Sequence, residues 1–205
     1  MRKLLVTGSS GLIGSRVVAL AAQSGFEIVP LHRGGGADIC DAHSLQGAVA
    51  AVADAAALVH LAAFTDVSAA HQQDGDKHGA CFQVNVCGTE NVAAACRAAS
   101  LPWVHVSTDF VFGGGKVEPY TEADTPDPIE WYGRTKLDAE HVARDAGATI
   151  ARVSFPYSVP PAPKPDLVRW VVGALRDGKE LRLFDDQYIT PTFVDDIATA
   201  LLILA

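Results

Sequence analysis

Short continuous apolar runs, among them Leu4-Leu5-Val6 and Ala57-Leu58-Val59, alternate along this chain with longer alanine-rich stretches whose apolar positions recur at helical spacing. Runs of the first kind suit strands buried on both faces, and the stretches between them suit crossover helices. The pattern predicts strands at residues 3–7, 27–31, 57–60, 103–107, 149–153 and 180–183. Helices are predicted at residues 12–24, 44–53, 78–99, 132–145, 165–177 and 194–204. Right-handed crossovers between such strands give an α/β fold, a doubly wound parallel sheet whose ligand crevice lies at the carboxyl ends of the strands. The polar or glycine-rich segments 8–11, 33–41, 62–67 and 108–115 all fall on that edge.

Two stretches break the alternation. Residues 113–128, rich in Gly, Pro and acids, read as a loop, and residues 154–165 carry five prolines and lead toward a small substrate-facing region. The expected division is therefore a nucleotide-binding domain over 1–153 and a partial substrate-binding region over 154–205, interleaved with the core. No internal repeat is visible.

At 205 residues the chain buries one sizeable core. With 16 Lys and Arg against 24 Asp and Glu, its net charge of -8 leaves no electrostatic footprint for nucleic acid. A phosphate site here must rely on backbone dipoles and a few local cations. Cys40, Cys81, Cys87 and Cys96 form no Cys-x-x-Cys pair, which argues against zinc and fits free thiols in a reducing compartment. The opening Met1-Arg2-Lys3 leads into too short an apolar run for a secretory signal, and residues 48–63 are too short and interrupted to span a bilayer. The cytoplasm, with no membrane partner, is the expected location.

Thr7-Gly8-Ser9-Ser10-Gly11-Leu12-Ile13-Gly14 follows the first strand and opens the first helix. A helix N-terminus has unpaired N–H groups and a partial positive charge, which suits a pyrophosphate. Gly8 permits the tight turn, Gly11 lets the backbone approach a phosphate, and Gly14 lets helix and strand pack closely. A βα turn without a ligand is the plainer reading of the same glycines. Further on, Tyr132 and Lys136 stand four apart, on one face of a helix that begins at Tyr132. An ammonium beside a phenol stabilises phenolate, and Thr108 at a strand end can hydrogen-bond a carbonyl oxygen. Such a pair is also common on an exposed helix face. The seven histidines are scattered, and Asp185-Asp186 reads as a solvated turn, so no metal is assigned. Trp131 suits either a substrate base or the adjoining loop.

Four patches together carry a resemblance. They are residues 6–14, Val106-Ser107-Thr108-Asp109-Phe110-Val111-Phe112, Tyr132-Gly133-Arg134-Thr135-Lys136, and residues 184–196 containing Asp185-Asp186-Gln187-Tyr188-Ile189-Thr190-Pro191-Thr192. The chain resembles the extended short-chain dehydrogenase/reductase superfamily, with a Rossmann-type sheet, and within it the dTDP-4-dehydrorhamnose reductase-like branch of nucleotide-sugar 4-ketoreductases. The resemblance implies an NAD(P)-dependent oxidoreductase that reduces a 4-keto nucleotide sugar. In it Tyr132 is the proton donor, Lys136 holds the ribose and tunes Tyr132, and Thr108 orients the carbonyl. It also implies that Gly8, Ser10, Gly11, Leu12, Ile13 and Gly14 cradle the cofactor, with Asp38 and Ile39 near its adenine. Leu61, Ala62 and Ala63 lie beside it, and Asn85 lies under the catalytic helix. Thr65, Asp109, Phe110 and Thr190 face the substrate.

At the end of the second strand, where an acid would accept the ribose 2′-hydroxyl, stands Leu31-His32-Arg33. A guanidinium suits a 2′-phosphate, so NADP is expected in preference to NAD. The chain stops inside an apolar helical stretch at Ala205, where members of the superfamily continue, so the substrate region is expected to be short and incomplete. Two other readings stay open: a nucleotide-sugar epimerase or dehydratase using the same Tyr and Lys, and a cofactor-binding regulatory subunit without turnover. A homodimer through residues 84–99 and the helix starting at Tyr132 is a further implication of the resemblance.

Overall fold

Alternation within the strands decides how this fold is layered. In β1 (Arg2–Thr7), Leu4 and Val6 point to one face of the sheet and Leu5 to the other, and all three are fully buried. The computed structural model describes residues 1–159 and 166–205. β1 is joined by β2 (Phe26–Leu31), β3 (Ala55–His60), β4 (Trp103–Thr108) and β5 (Thr149–Val153) in one parallel sheet of order β2-β1-β3-β4-β5. The five strands fall where the apolar runs predict them, within two residues at each end.

Helices cover both faces. Against Leu4, Val6, Val59, Val104 and Val106 pack α1 (Leu12–Ala21) through Val17 and Ala21, and a C-terminal helix (Val194–Leu204) through Ile197, Ala198, Leu201 and Leu202. The opposite face, with Leu5, Leu31, Leu58 and Trp103, is covered by α2 (Ala42–Ala50) through Leu45 and Val49. Burying each of the Val, Leu and Ile side chains among these contributes about 1.5–3 kcal/mol. Asp41 starts α2 by accepting the N–H groups of His43 and Ser44, which places its first turn two residues before the predicted start.

The stretch predicted as one helix over 78–99 is broken. α3 (Val67–His71) precedes it, then α4 (Ala80–Phe82), a wide turn of π-type over Gln83–Cys87, and α5 (Gly88–Ala98). Such a turn inserts an extra residue per cycle, and here it carries the buried Asn85. α6 (Trp131–Asp145) begins one residue before the expected Tyr132 because Glu130 caps it. α7 (Leu167–Arg176) lies inside the predicted 165–177, of which residue 165 is outside the described residues, as are 160–164 of the proline-rich segment.

No strand forms at 180–183. Leu183 is exposed there, and among the described residues no strand lies alongside to supply a hydrogen-bonded ladder. Instead two short strands unmarked by any apolar run, β6 (Pro156–Tyr157) and β7 (Thr192–Phe193), pair in parallel and lead into α8, the helix Val194–Leu204. Arg16 of α1 closes the arrangement with two hydrogen bonds to Asp195 of α8, at 2.6 and 2.8 Å.

Candidate active site

The chain runs outward from β1 to β2 and returns to β3 on the other side of β1, so the winding reverses between β1 and β3. A crevice opens at that reversal, at the carboxyl ends of the two strands. Its walls are the turn at residues 8–11 and the segment 61–64. They touch so closely that a Cβ on Gly8 would lie 2.7 Å from the Ala62 nitrogen, and Gly8 has the left-handed φ of +67°. Gly14 seals the base of the turn, where a Cβ would meet the Gly8 oxygen at 2.2 Å. Gly11 starts α1 in an extended conformation without a side-chain cap. The free N–H groups of that first turn, beside a backbone with no Cβ in the way, fit a dinucleotide phosphate. Ser10 is exposed there, and Leu12 and Ile13 are half-buried.

The segment 61–64 is held from both sides. Thr7 Oγ1 accepts the N–H groups of Leu61 and Ala62 at 3.1 and 3.2 Å. Asn85 accepts the Phe64 N–H at 2.8 Å and donates to the Phe64 carbonyl and to Thr135 Oγ1 of α6. Asn85 therefore ties the crevice wall to α6. Thr65, next along, is exposed.

α6 brings its chemistry to the end of β4 by an unusually close approach. A Cβ on Gly133 would lie 2.2 Å from the Phe110 carbonyl oxygen. Glu130, accepting the Tyr132 and Gly133 N–H groups, fixes where the helix starts. Tyr132 is consequently buried, with its ring edge-on to Phe110 at 5.7 Å and its phenol in contact with Thr108. Burial pushes the phenol up to about 12, although contact with the Thr108 hydroxyl pulls it down. Lys136, one turn on, is fully buried and donates to the Val106 carbonyl at 2.8 Å. Burial pulls its ammonium down to about 8, with Glu140 acting in the opposite direction. The sequence led us to expect Lys136 to lower the phenol. In the structure its ammonium is engaged by Val106, and desolvation of Tyr132 prevails.

Asp109 is occupied within the protein, accepting the Thr108 hydroxyl at 3.2 Å and the Ser154 hydroxyl at 2.6 Å. Phe110 lies between the rings of Tyr132 and Phe155. Thr190 is exposed, far along the chain before β7, and its carbonyl accepts the Thr192 hydroxyl. Trp131 stacks on Phe82 of α4, ring centroids 6.2 Å apart, so it packs in the core beside α4 rather than against the adjoining loop. Asp38 accepts the Cys40 N–H, and Ile39 is buried against Gly88. Arg33 sits exposed on a tight turn, and among the described residues no hydrogen bond or ion pair engages its guanidinium. No group of His, Cys, Asp and Glu among the described residues has the arrangement of a metal site.

Sequence reasoning gave no role in the site to Glu130, Gly133 or Thr7, and read His60 only as hydrogen-bonded inside the sheet, which it is. Gly133 stands inside the quoted motif, yet only the packed structure reveals what its missing Cβ permits. Two cavities, of about 600 and 630 Å³, lie away from this chemistry. One is at the amino ends of β3 and β4, lined by Val49, Ala95 and Pro102, and the other is against Lys116, Tyr120 and Asp127. The crevice is an open cleft, and the convergence of Thr108, Tyr132 and Lys136 is the better guide to function.

Comparison with known proteins agrees with this geometry. The chain is 35% identical to the probable low-salt glycan biosynthesis reductase Agl14 of Haloferax volcanii, over 96% of this chain and 68% of that protein. It is 34% identical to a dTDP-4-dehydrorhamnose reductase of Sinorhizobium fredii, over 99% and 66%. The crystal structure of the dTDP-4-dehydrorhamnose reductase of Bacillus anthracis in complex with NADP superposes with a TM-score of 0.89 at 26% identity, covering 100% of this chain and 70% of that one. The chain thus spans about two thirds of the length of these relatives. The family model for the RmlD substrate binding domain matches residues 1–205, from the glycine turn through α8, and the chain belongs to that family.

Proposed function

We propose that this protein reduces the 4-keto group of a nucleotide sugar with NAD(P)H, NADPH being preferred, as the names of its relatives suggest. The observation that carries the reading is the placement of Tyr132. It is a buried phenol at the end of β4, beside the Thr108 hydroxyl and one helical turn from Lys136. A phenol pushed up to about 12 is an acid at neutral pH. Reduction of a ketone needs an acid for the carbonyl oxygen, and the buried phenol beside Thr108 is placed to be that acid.

The residues divide the work as follows. Gly8, Ser10, Gly11, Leu12, Ile13 and Gly14 hold the pyrophosphate. Asp38 and Ile39 border the adenine, Leu61, Ala62 and Ala63 line the crevice, and Asn85 keeps that lining in register with α6. Arg33 receives the 2′-phosphate. When bound, a reduced nicotinamide supplies the hydride. Thr108 donates to the substrate carbonyl, and Tyr132 passes its proton to the same oxygen as it becomes an alkoxide. The charge left on Tyr132 is stabilised by the Lys136 ammonium. Thr65, Phe110 and Thr190 border the sugar, while Asp109 keeps the Ser154 hydroxyl and gives up the Thr108 proton when the substrate carbonyl takes it. Residues 1–153 form the NAD(P)-binding Rossmann domain, and residues 154–205 the partial substrate region, interleaved with that core through α8, which packs on the sheet.

In this reading the enzyme acts in the cytoplasm with its four cysteines free, as they are here, and no described helix is long and apolar enough to cross a membrane. A homodimer through the outer faces of α5 and α6 completes the proposal, and light scattering on the purified protein tests it.

The decisive experiment follows the reduced-nicotinamide absorbance while the protein is mixed with NADPH or NADH and a freshly generated dTDP-4-keto-6-deoxy sugar. Loss of absorbance that disappears in Tyr132→Phe is expected. Nicotinamide binding without oxidation would overturn the reading in favour of a regulatory subunit.

A further inference from the structure

Tyr132, Lys136 and Glu140 stand at successive turns of α6, on the one face that packs against β4 and β5. All three are buried, and Glu140 has no exposed surface at all. A carboxylate placed there is strongly destabilising unless it is paired. Its partner is Arg152 of β5, which donates to both oxygens, Nε to Oε1 at 2.8 Å and Nη2 to Oε2 at 2.6 Å. Arg144, one turn along α6, reaches Oε2 at 3.9 Å from the surface.

A buried ion pair is weak evidence for stability, because an apolar pair of similar volume often serves as well. What distinguishes this one is its neighbour. The Lys136 ammonium has three donors, and among the described residues its hydrogen-bond partner is a neutral carbonyl, that of Val106. The other titratable groups that interact with it are His60 of β3, His105 of β4 and Cys81 of α4, and Tyr132 stands one turn before it on its own helix. Both histidines are held neutral by burial, and the Cys81 thiol and Tyr132 phenol are pushed upward, so none of the four carries a negative charge at neutral pH.

We infer that Glu140, locked in place by Arg152, is a positioning residue for catalysis: its carboxylate is the buried counter-charge of the Lys136 ammonium. The role rests on the reading of Lys136 as the cation that stabilises Tyr132 after proton transfer. Arg152 orients the carboxylate and shields it from solvent, and Lys136 draws on its field from one helical turn away. With Glu140 neutral, the ammonium would face burial and two neutral imidazoles with nothing opposing them, and it would lose its proton at a lower pH.

The test reads Lys136 directly. In full-length protein carrying ¹³C-lysine, the Lys136 signal is assigned by its loss in Lys136→Arg and followed by NMR across pH. Glu140→Gln is expected to lower its titration midpoint by about one pH unit. The alkaline limb of kcat/KM moves down with it, and Glu140→Asp retains most of the wild-type midpoint. Because Glu140→Gln leaves Arg152 without its carboxylate, the double variant Glu140→Gln/Arg152→Gln restores a neutral hydrogen-bonded pair, and its midpoint is expected to stay lowered. An unmoved midpoint in either folded variant overturns the inference, whatever happens to Tm, because a purely structural pair changes stability alone. Failure of the reductase reading is separate: a wild-type protein that oxidises no NADPH leaves the Lys136 titration as a complete test of the counter-charge.

Discussion

Thr7 Oγ1 stands 2.7 Å from His60 Nδ1, and the surroundings of both atoms leave that hydrogen bond one direction. Thr7 Oγ1 already accepts two backbone N–H groups, from Leu61 and Ala62, so its own proton goes to His60. Nδ1 is therefore the acceptor, and Nε2 carries the ring proton toward Thr89 Oγ1 at 3.2 Å. Thr89 in turn donates to the Asn85 carbonyl at 2.7 Å. The chain of bonds needs a neutral imidazole. It runs from the strand that delivers the glycine turn to the helical turn that holds the crevice wall.

Stability should consequently fall with acid. Burial pulls His60 down to about 3 and His105 well below its ordinary value, while both return to about 6.5 when the chain unfolds. Between those limits the unfolded chain binds more protons than the folded one, so stability present above pH 6.5 is lost as pH falls toward 3. Two such groups give a slope of roughly 2.5 kcal/mol per pH unit near pH 5.5. Urea unfolding at a series of pH values measures it. His60→Gln, which can still accept from Thr7 and donate to Thr89, should remove about half the slope.

Gly133→Ala should damage the site and the fold together. The new methyl meets the Phe110 carbonyl at 2.2 Å and Glu130 Oε1 at 2.8 Å, so α6 must move off β4 and carry Tyr132 away from Thr108. Overpacking of this kind costs about 1–3 kcal/mol, and the displaced phenol lowers kcat more than about tenfold. Gly173→Ala is the matched control: a Cβ there meets nothing within 4 Å, and the helix gains roughly 0.5–1 kcal/mol. Equal Tm changes in the two variants would contradict the packing argument.

The two glycines at the start of α1 separate fold from ligand. At Gly14 a Cβ would collide with the Gly8 oxygen at 2.2 Å, whereas at Gly11 the same atom lies 3.2 Å away, on an extended backbone that alanine adopts freely. Gly11→Ala should keep a near-native Tm and weaken NADPH binding by about tenfold, by crowding the phosphate position. Gly14→Ala should lose both. Fluorescence titration with NADPH beside thermal unfolding distinguishes them, and a Gly11→Ala protein that binds normally would remove the phosphate from this turn.

The central sheet was legible because Leu4-Leu5-Val6 and its counterparts must be buried on both faces, and that demand is written in consecutive residues. Glu180-Leu181-Arg182-Leu183 alternates like a strand but, among the described residues, has no neighbour to pair with, which is a property of the packed chain. β6 and β7, two residues each and 36 positions apart, are too short to leave a pattern. The same division holds at the site. Tyr132, Lys136 and the glycine turn are local motifs. Asn85 bonded to Phe64, Thr7 to His60 and Glu140 to Arg152 are partners chosen by topology, and no spacing rule announces them.

Arg33 offers the clearest separation of cofactor choice from fold. Its turn is already organised without it: Gly35 N–H donates toward His32 at the end of β2, and Gly36 takes a left-handed φ of +78° to close the loop. The guanidinium has no partner among the described residues, so Arg33→Ser should leave Tm unchanged. A 2′-phosphate beside it gains charge-assisted hydrogen bonds worth roughly 1.5–3 kcal/mol, or about ten- to a hundredfold in Kd. NADPH affinity should drop by that factor in the variant while NADH affinity stays put. Wild-type affinity for NADPH should also weaken more steeply with salt than that for NADH, because only the former has the extra phosphate. Parallel titrations with both nucleotides at two salt concentrations decide it. Equal losses for the two would place Arg33 at the adenosine rather than the phosphate, and no loss for either would leave it a solvated arginine on a loop.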